Sequence, residues 1–211
     1  MSLAEQKTTV DLVPPLNGRA MEKPEDQNRI VYAMFAAAGC AAAIASVVAA
    51  PGRAGLFGGA LGLVMAAVAV IDARSYVIPD RLTLAAFALG LANAASEGSG
   101  VFLEDIADAA ARGILLALAF YVLRAAYFRL RRRQGIGLGD VKLAAAAGAW
   151  LDWTLIPIAI EIAALTALVG YALRQCFKKS PLDPGAKLPF GLFFAPAIWL
   201  CWLAGAVFLK S

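Results

Sequence analysis

The sequence predicts an all-α, polytopic integral membrane protein of six to seven transmembrane helices with its N-terminus in the cytoplasm. Three observations carry this. Hydrophobic residues make up 61% of the chain and charged residues 16%, against about 45–50% and about 25% in soluble domains, so a soluble fold would have far too much apolar surface to cover. Mean hydropathy is accordingly +0.72. Apolar runs of spanning length recur along the chain, since about 20 helical residues at about 1.5 Å each cross a bilayer core. Lysine and arginine collect in alternate connections between those runs, the signature of cytoplasmic loops.

The elements follow in order. Residues 1–29 are polar, carry Pro14, Pro15 and Pro24 with mixed charges, and read as a disordered cytoplasmic tail. No cleavable signal is visible, because the first apolar run arrives only at Ile30. Residues 30–211 form the expected transmembrane domain. Runs at 30–50, 54–71, 106–127, 153–173 and 188–209 are long enough to span, and 82–95 and 141–151 are apolar but short. Gly55, Gly58, Gly59 and Gly62 in the second run permit close helix contact. Asp80 reads as the N-cap of the third run, and Pro157 and Pro196 are expected to kink the sixth and seventh. Glu161 falls well inside the sixth run, where an unpaired carboxylate is expensive. A structural or water-facing role, with Arg112 as a possible partner, is the simplest account of it.

The net charge of +4 does not indicate nucleic acid, because of where the charges lie. Basic residues cluster at Arg74 and Arg81, at Arg124, Arg129 and Arg131–Arg133, and at Arg174, Lys178, Lys179 and Lys187. The alternate connections hold only Arg53, the acids Glu97, Glu104, Asp105 and Asp108, and Asp152. Seven crossings with the N-terminus inside place every basic cluster in the cytoplasm and the C-terminus outside. The Arg131–Arg133 run is then a topology determinant.

Composition also narrows the chemistry. Cys40, Cys176 and Cys201 are isolated, with no CxxC pair, so no zinc site or disulfide framework is suggested. The chain has no histidine, which removes Ser-His-Asp triads, Cys-His dyads and HExxH zinc sites. A hydrolase built on it must use carboxylates or a serine with a lysine, and neither Ser46 nor Ser75 has a lysine at plausible depth.

Ionisable groups at the edge of a span are functional candidates. Asp72 ends the second run and Asp140 opens the fifth segment, so both stand at cytoplasmic helix ends, at similar depth. Two neighbouring carboxylates resist joint ionisation and share one proton, which suits acid–base attack of water on an amide. Each aspartate also fits a plainer role, Asp72 as a solvated helix end beside Arg74 and Asp140 as an ordinary N-cap. The surrounding residues favour chemistry. Gly137-Leu138-Gly139-Asp140 is a GxGD turn whose glycines allow unusual backbone conformations and close approach of a substrate strand. It continues through Val141-Lys142-Leu143, and Asp72 is followed by Ile78-Pro79-Asp80-Arg81-Leu82-Thr83.

In this order the two blocks closely resemble the signatures of the type IV prepilin peptidases, which are GxGD intramembrane aspartic proteases. Leu188-Pro189-Phe190-Gly191 is similar to the Pro-Phe-Gly stretch that opens that family's last helix. The resemblance covers roughly residues 61–209. It implies Asp72 and Asp140 as the catalytic pair, with Gly137, Gly139, Lys142, Pro189, Phe190 and Gly191 as substrate-positioning candidates. Lys142 equally fits a snorkelling side chain or a contact to lipid phosphate. No metal and no cofactor are implied. The implied substrate is a prepilin or pseudopilin, an apolar helix with a short basic leader, entering from the lipid of the bacterial inner membrane to a site facing the cytoplasm. Larger family members carry a cytoplasmic methyltransferase domain, often with CxxC pairs, and the chain looks more like the short, peptidase-only Flp/Tad-type members. Two other readings stand beside this one. A small transporter would place its acids near the midplane and often shows internal repeats, which are not seen. A catalytically silent assembly factor of a pilus or secretion machine would have lost one aspartate. A presenilin-like protease would carry a Tyr-Asp block where Ile71 precedes Asp72.

Overall fold

The computed structural model describes residues 24–97, 102–132, 135–178 and 189–208. These form seven α-helices: α1 (Pro24–Ala49), α2 (Arg53–Ser75), α3 (Asp80–Glu97), α4 (Phe102–Arg131), α5 (Leu138–Trp150), α6 (Leu155–Lys178) and α7 (Phe190–Phe208). No strand occurs among the described residues. Five of the helices, α1, α2, α4, α6 and α7, are long and apolar enough to cross a membrane. The other two, α3 and α5, are the two short runs of the sequence. Residues 1–23, most of the expected tail, lie outside the described residues, and α1 already begins at Pro24. Proline suits the first helical position, where a missing N–H removes no helix hydrogen bond.

Small residues set the packing. α2, α5 and α7 supply the deepest side chains, including Leu61, Met65, Val68, Leu143, Phe194 and Ile198, all at most 1% exposed. α2 packs on α1, α3 and α7, α5 on α3, α4 and α7, and α6 on α7. The glycines of α2 act as expected. A Cβ on Gly58 would lie 1.7 Å from the Trp202 ring, and one on Gly62 would lie 2.9 Å from Ala42 Cβ. Gly113 and Gly148 bring α4 and α5 together in the same way, each facing the other helix's backbone. Hydrogen bonds pin the remaining contacts. Trp199 Nε1 donates to Ser46 Oγ at 3.0 Å, and Trp150 Nε1 to the Ala86 carbonyl at 2.8 Å. Large apolar side chains such as Ile158, Leu165, Leu168, Leu118 and Val122 lie exposed on α6 and α4, as hydrocarbon rather than water would favour.

Several expectations need correction. Pro157 stands in the first turn of α6, where its missing N–H interrupts nothing, so no kink arises there; Pro196 is the proline inside a helix. Asp80 is the first residue of α3 rather than its cap. Its carboxylate turns to Lys142 instead. Arg112 does not reach Glu161: its Nε donates to the Gly148 carbonyl at 3.3 Å, and Glu161 is exposed on α6.

Candidate active site

Asp72 lies one turn from the end of α2, and its residue is 4% exposed. The helix stops because Tyr76 adopts the left-handed conformation (φ 54°, ψ 29°), its N–H donating to the Asp72 carbonyl at 2.9 Å. This αL stop is uncommon for a bulky non-glycine residue. It throws Val77 outward, 60% exposed, and turns Ile78 inward, 7% exposed. Pro79 then begins the turn into α3, its carbonyl accepting the Leu82 and Thr83 N–H groups.

The carboxylate of Asp72 meets the start of α7. The Leu192 N–H donates to Asp72 Oδ2 at 3.0 Å, with the Gly191 amide beside it. The first amides of a helix have no partner within it, and here a side chain from another helix supplies the acceptor. Pro189-Phe190-Gly191, expected as a substrate-positioning stretch, is thus first of all the seat of Asp72. Phe190 leads away from the carboxylate into an aromatic ladder, its ring 5.3 Å from that of Phe194, which in turn stacks 5.8 Å from Phe120 of α4.

Asp140 stands in the first turn of α5, outside the five long spans. It is the third helical residue rather than the N-cap, and its Oδ2 accepts the Gly137 N–H at 3.0 Å. The capping role foreseen for it is therefore real, though it reaches back from inside the helix. Burial raises its pKa from 3.8 to about 6. The Gly137 N–H opposes that shift, the charge of Asp72 adds to it, and the charge of Arg124 opposes it. Asp72 and Asp140 are thus close enough to feel each other's charge. Arg74, the alternative partner for Asp72, has its guanidinium over the Tyr32 ring, 3.9 Å from the centroid.

The glycines of the GxGD turn serve space rather than unusual dihedrals. Gly137 is extended (φ −72°, ψ 153°), which any residue adopts. A Cβ on Gly139 would lie 2.9 Å from Ile78 Cβ, and one on Gly191 would lie 2.7 Å from Ile78 Cδ1 and 2.9 Å from Asp72 Oδ2. Ile78 is therefore wedged between the turn that bears Asp140 and the helix start that holds Asp72. All three sequence blocks meet on this one side chain. Sequence reasoning gave Ile78 no role of its own, although its place in the Ile-Pro-Asp block was the available signal. Lys142, a substrate-positioning candidate, is ion-paired with Asp80 at 2.5 Å on the exposed rim.

Chemically, the arrangement presents two carboxylates from separate helices, one buried and one half-buried, with a shared electrostatic environment and backbone donors on each. Such a pair retains one proton over a useful pH range and can both take a proton from water and give one to a leaving amine. Among the described residues no group of three metal-ligating side chains converges.

Comparison with known proteins bears on this geometry. The family described as the Type IV leader peptidase family matches residues 59–172. The chain is 34% identical over 157 residues to a protein of Aeromonas hydrophila named prepilin leader peptidase/N-methyltransferase, covering 74% of this chain and 52% of the relative. A protein of the same name from Escherichia coli K12 is 40% identical over 110 residues, covering 50% and 45%. The leader peptidase HopD of Escherichia coli is 38% identical over 131 residues, covering 60% of this chain and 78% of that protein. The chain spans about half the length of most of the curated relatives it matches. No solved structure matches it.

Proposed function

Because the chain belongs to the type IV leader peptidase family, we propose that it hydrolyses the leader peptide bond of a prepilin or pseudopilin, with Asp72 and Asp140 as the two catalytic carboxylates. One observation carries the reading: Ile78 packs both on Gly139, next to Asp140, and on Gly191, which borders the Asp72 carboxylate, so the two aspartates lie at one end of the helical bundle on helices far apart in sequence. Among the described residues, neither carboxylate is taken up by an ion pair of the kind that ties Lys142 to Asp80.

The pair holds a single proton. Its ionised member draws a proton from a water as that water attacks the scissile carbonyl, while the protonated member donates toward the carbonyl oxygen. The roles then reverse as the new amine departs. The apparent pKa values belong to the pair rather than to either residue. The arginines at this end of the bundle, Arg74, Arg81, Arg124, Arg129, Arg131 and Arg132, support a cytoplasm-facing site in the bacterial inner membrane. A substrate whose apolar helix lies in the bilayer would present its leader bond at that level.

The test is cleavage of a co-expressed Flp-type prepilin by wild type, Asp72→Ala and Asp140→Ala, read as a mobility shift with membrane levels checked. Each substitution is expected to lower the rate by about a thousandfold. Cleavage that survives either one would remove the dyad.

A further inference from the structure

Of the arginines at the end of α4, Arg129, Arg131 and Arg132 are exposed, whereas Arg124 is half-buried. Its Nη1 donates to the Ile136 carbonyl at 2.7 Å, a charge-assisted bond of short length. That carbonyl and the Gly137 N–H belong to the same peptide group. The N–H end of the group donates to Asp140 Oδ2 at 3.0 Å. Arg124 therefore grips the oxygen of the peptide whose nitrogen grips Asp140. Hydrogen bonds at the two ends of one amide polarise it and strengthen each other. One turn on, Tyr127 supports the same loop: a Cβ on Gly135 would lie 2.6 Å from its Cε1, so the loop lies flat against the ring.

We infer that Arg124 is a positioning residue for the peptidase reaction, fixing and polarising the 136–137 peptide that holds Asp140 while supplying a positive charge beside it. The inference rests on the reading of Asp72 and Asp140 as the catalytic pair. It assigns Arg124 a task beyond the topological one that its exposed neighbours can perform alone. The charged groups around Asp140 are few among the described residues. Asp72 faces it from α2 and Arg124 from α4. Asp80 of α3 is bound to Lys142 of α5 itself, and the first two turns of α7 bring amides but no titratable side chain.

The test uses the full chain in membrane vesicles with a prepilin substrate, measuring kcat and KM across the pH range where wild type is active. Arg124→Lys keeps the charge, Arg124→Gln keeps a donor for the carbonyl without the charge, and Arg124→Ala keeps neither. Removing the charge makes Asp140 harder to ionise. The pH profile of the Gln and Ala variants is therefore expected to move toward alkaline pH by about half a unit to one unit, while Lys stays with wild type. The Ala variant is expected to lose about 10- to 100-fold in kcat at the wild-type optimum, with KM changed by less than about threefold. Arg129→Ala, which removes an exposed arginine from the same helix end, is expected to keep the wild-type profile and rate. A wild-type profile in Arg124→Gln would overturn the inference. So would a loss of rate in Gln and Ala that is uniform across pH, as a purely structural residue would give. If Arg124→Ala does not accumulate in the membrane, the contrast between Lys and Gln decides alone. Cleavage by Asp140→Ala would refute the dyad itself, an outcome distinct from any result at Arg124.

Discussion

Replacing Gly191 with alanine tests the seat of Asp72 directly. The new Cβ would stand 2.7 Å from Ile78 Cδ1, 2.9 Å from Asp72 Oδ2 and 3.0 Å from Asp72 Cγ. The isoleucine tip can rotate, but it is confined on its other side by the Gly139 backbone. The carboxylate has less freedom, because moving away from Cβ draws it off the Leu192 N–H, now at 3.0 Å. A hydrogen bond to a charged group is worth about 1.5–3 kcal/mol. If that loss falls on the chemical step, the rate drops by about 10- to 150-fold. The assay is the initial rate of leader cleavage at matched membrane levels. Adding Ile78→Val deletes Cδ1 and relieves only the softer contact, so the double variant is expected to recover no more than a few-fold. A Gly191→Ala enzyme with the wild-type rate would refute the argument. Full recovery with Ile78→Val would locate the crowding at Ile78 and refute the part assigned to Asp72.

Further outcomes follow from the same geometry. Asp140 holds its proton more tightly folded than unfolded, with a pKa raised from 3.8 to about 6. Its stabilising contribution is therefore complete below the lower value and lost as pH rises through the upper one. Wild type should melt higher at about pH 5 than at about pH 7.5, and Asp140→Asn should lack that fall and exceed wild type at the higher pH; a parallel pH dependence in the two proteins would contradict this. Lys142→Ala breaks a rim ion pair whose side chains are 45% and 75% exposed. Screening leaves such a pair worth at most about 1 kcal/mol, so thermal stability and cleavage rate should change little, and a large loss of kcat would point to substrate contact. Gly58→Ala drives a Cβ to within 1.7 Å of the rigid Trp202 ring. It should destabilise the protein by about 1–3 kcal/mol, seen as a lower melting temperature in detergent, with Trp202→Leu on the same background restoring part of it.

Much of this architecture is legible along the chain because its causes are local. Apolar length marks helices, and all seven appear where the runs predict, including the short α3 and α5. Both aspartates stand near helix ends for the same reason: each lies where an apolar run meets a turn. Local reasoning also overreached in local ways. Pro157 was given a kink that its first-turn position cancels. Asp80 was given a cap, although an accessible lysine offers its carboxylate a better partner. The GxGD glycines were read for backbone freedom when the need is room for Ile78.

By itself the sequence determined that this is a helical membrane protein, that its two edge aspartates fall at the same end, and that a hydrolase without histidine must use carboxylates or a serine with a lysine. These follow from hydropathy, charge distribution and composition, which need no partner in space. Only the tertiary structure decided that the Leu192 amide, 120 residues away, holds Asp72, that Ile78 separates two glycines from different helices, and that one arginine of a basic cluster turns inward to the loop of Asp140. Those relations arise from which helix faces pack together. Side chains and amides far apart in sequence acquire a common neighbour only when close packing of small residues brings their helices into contact.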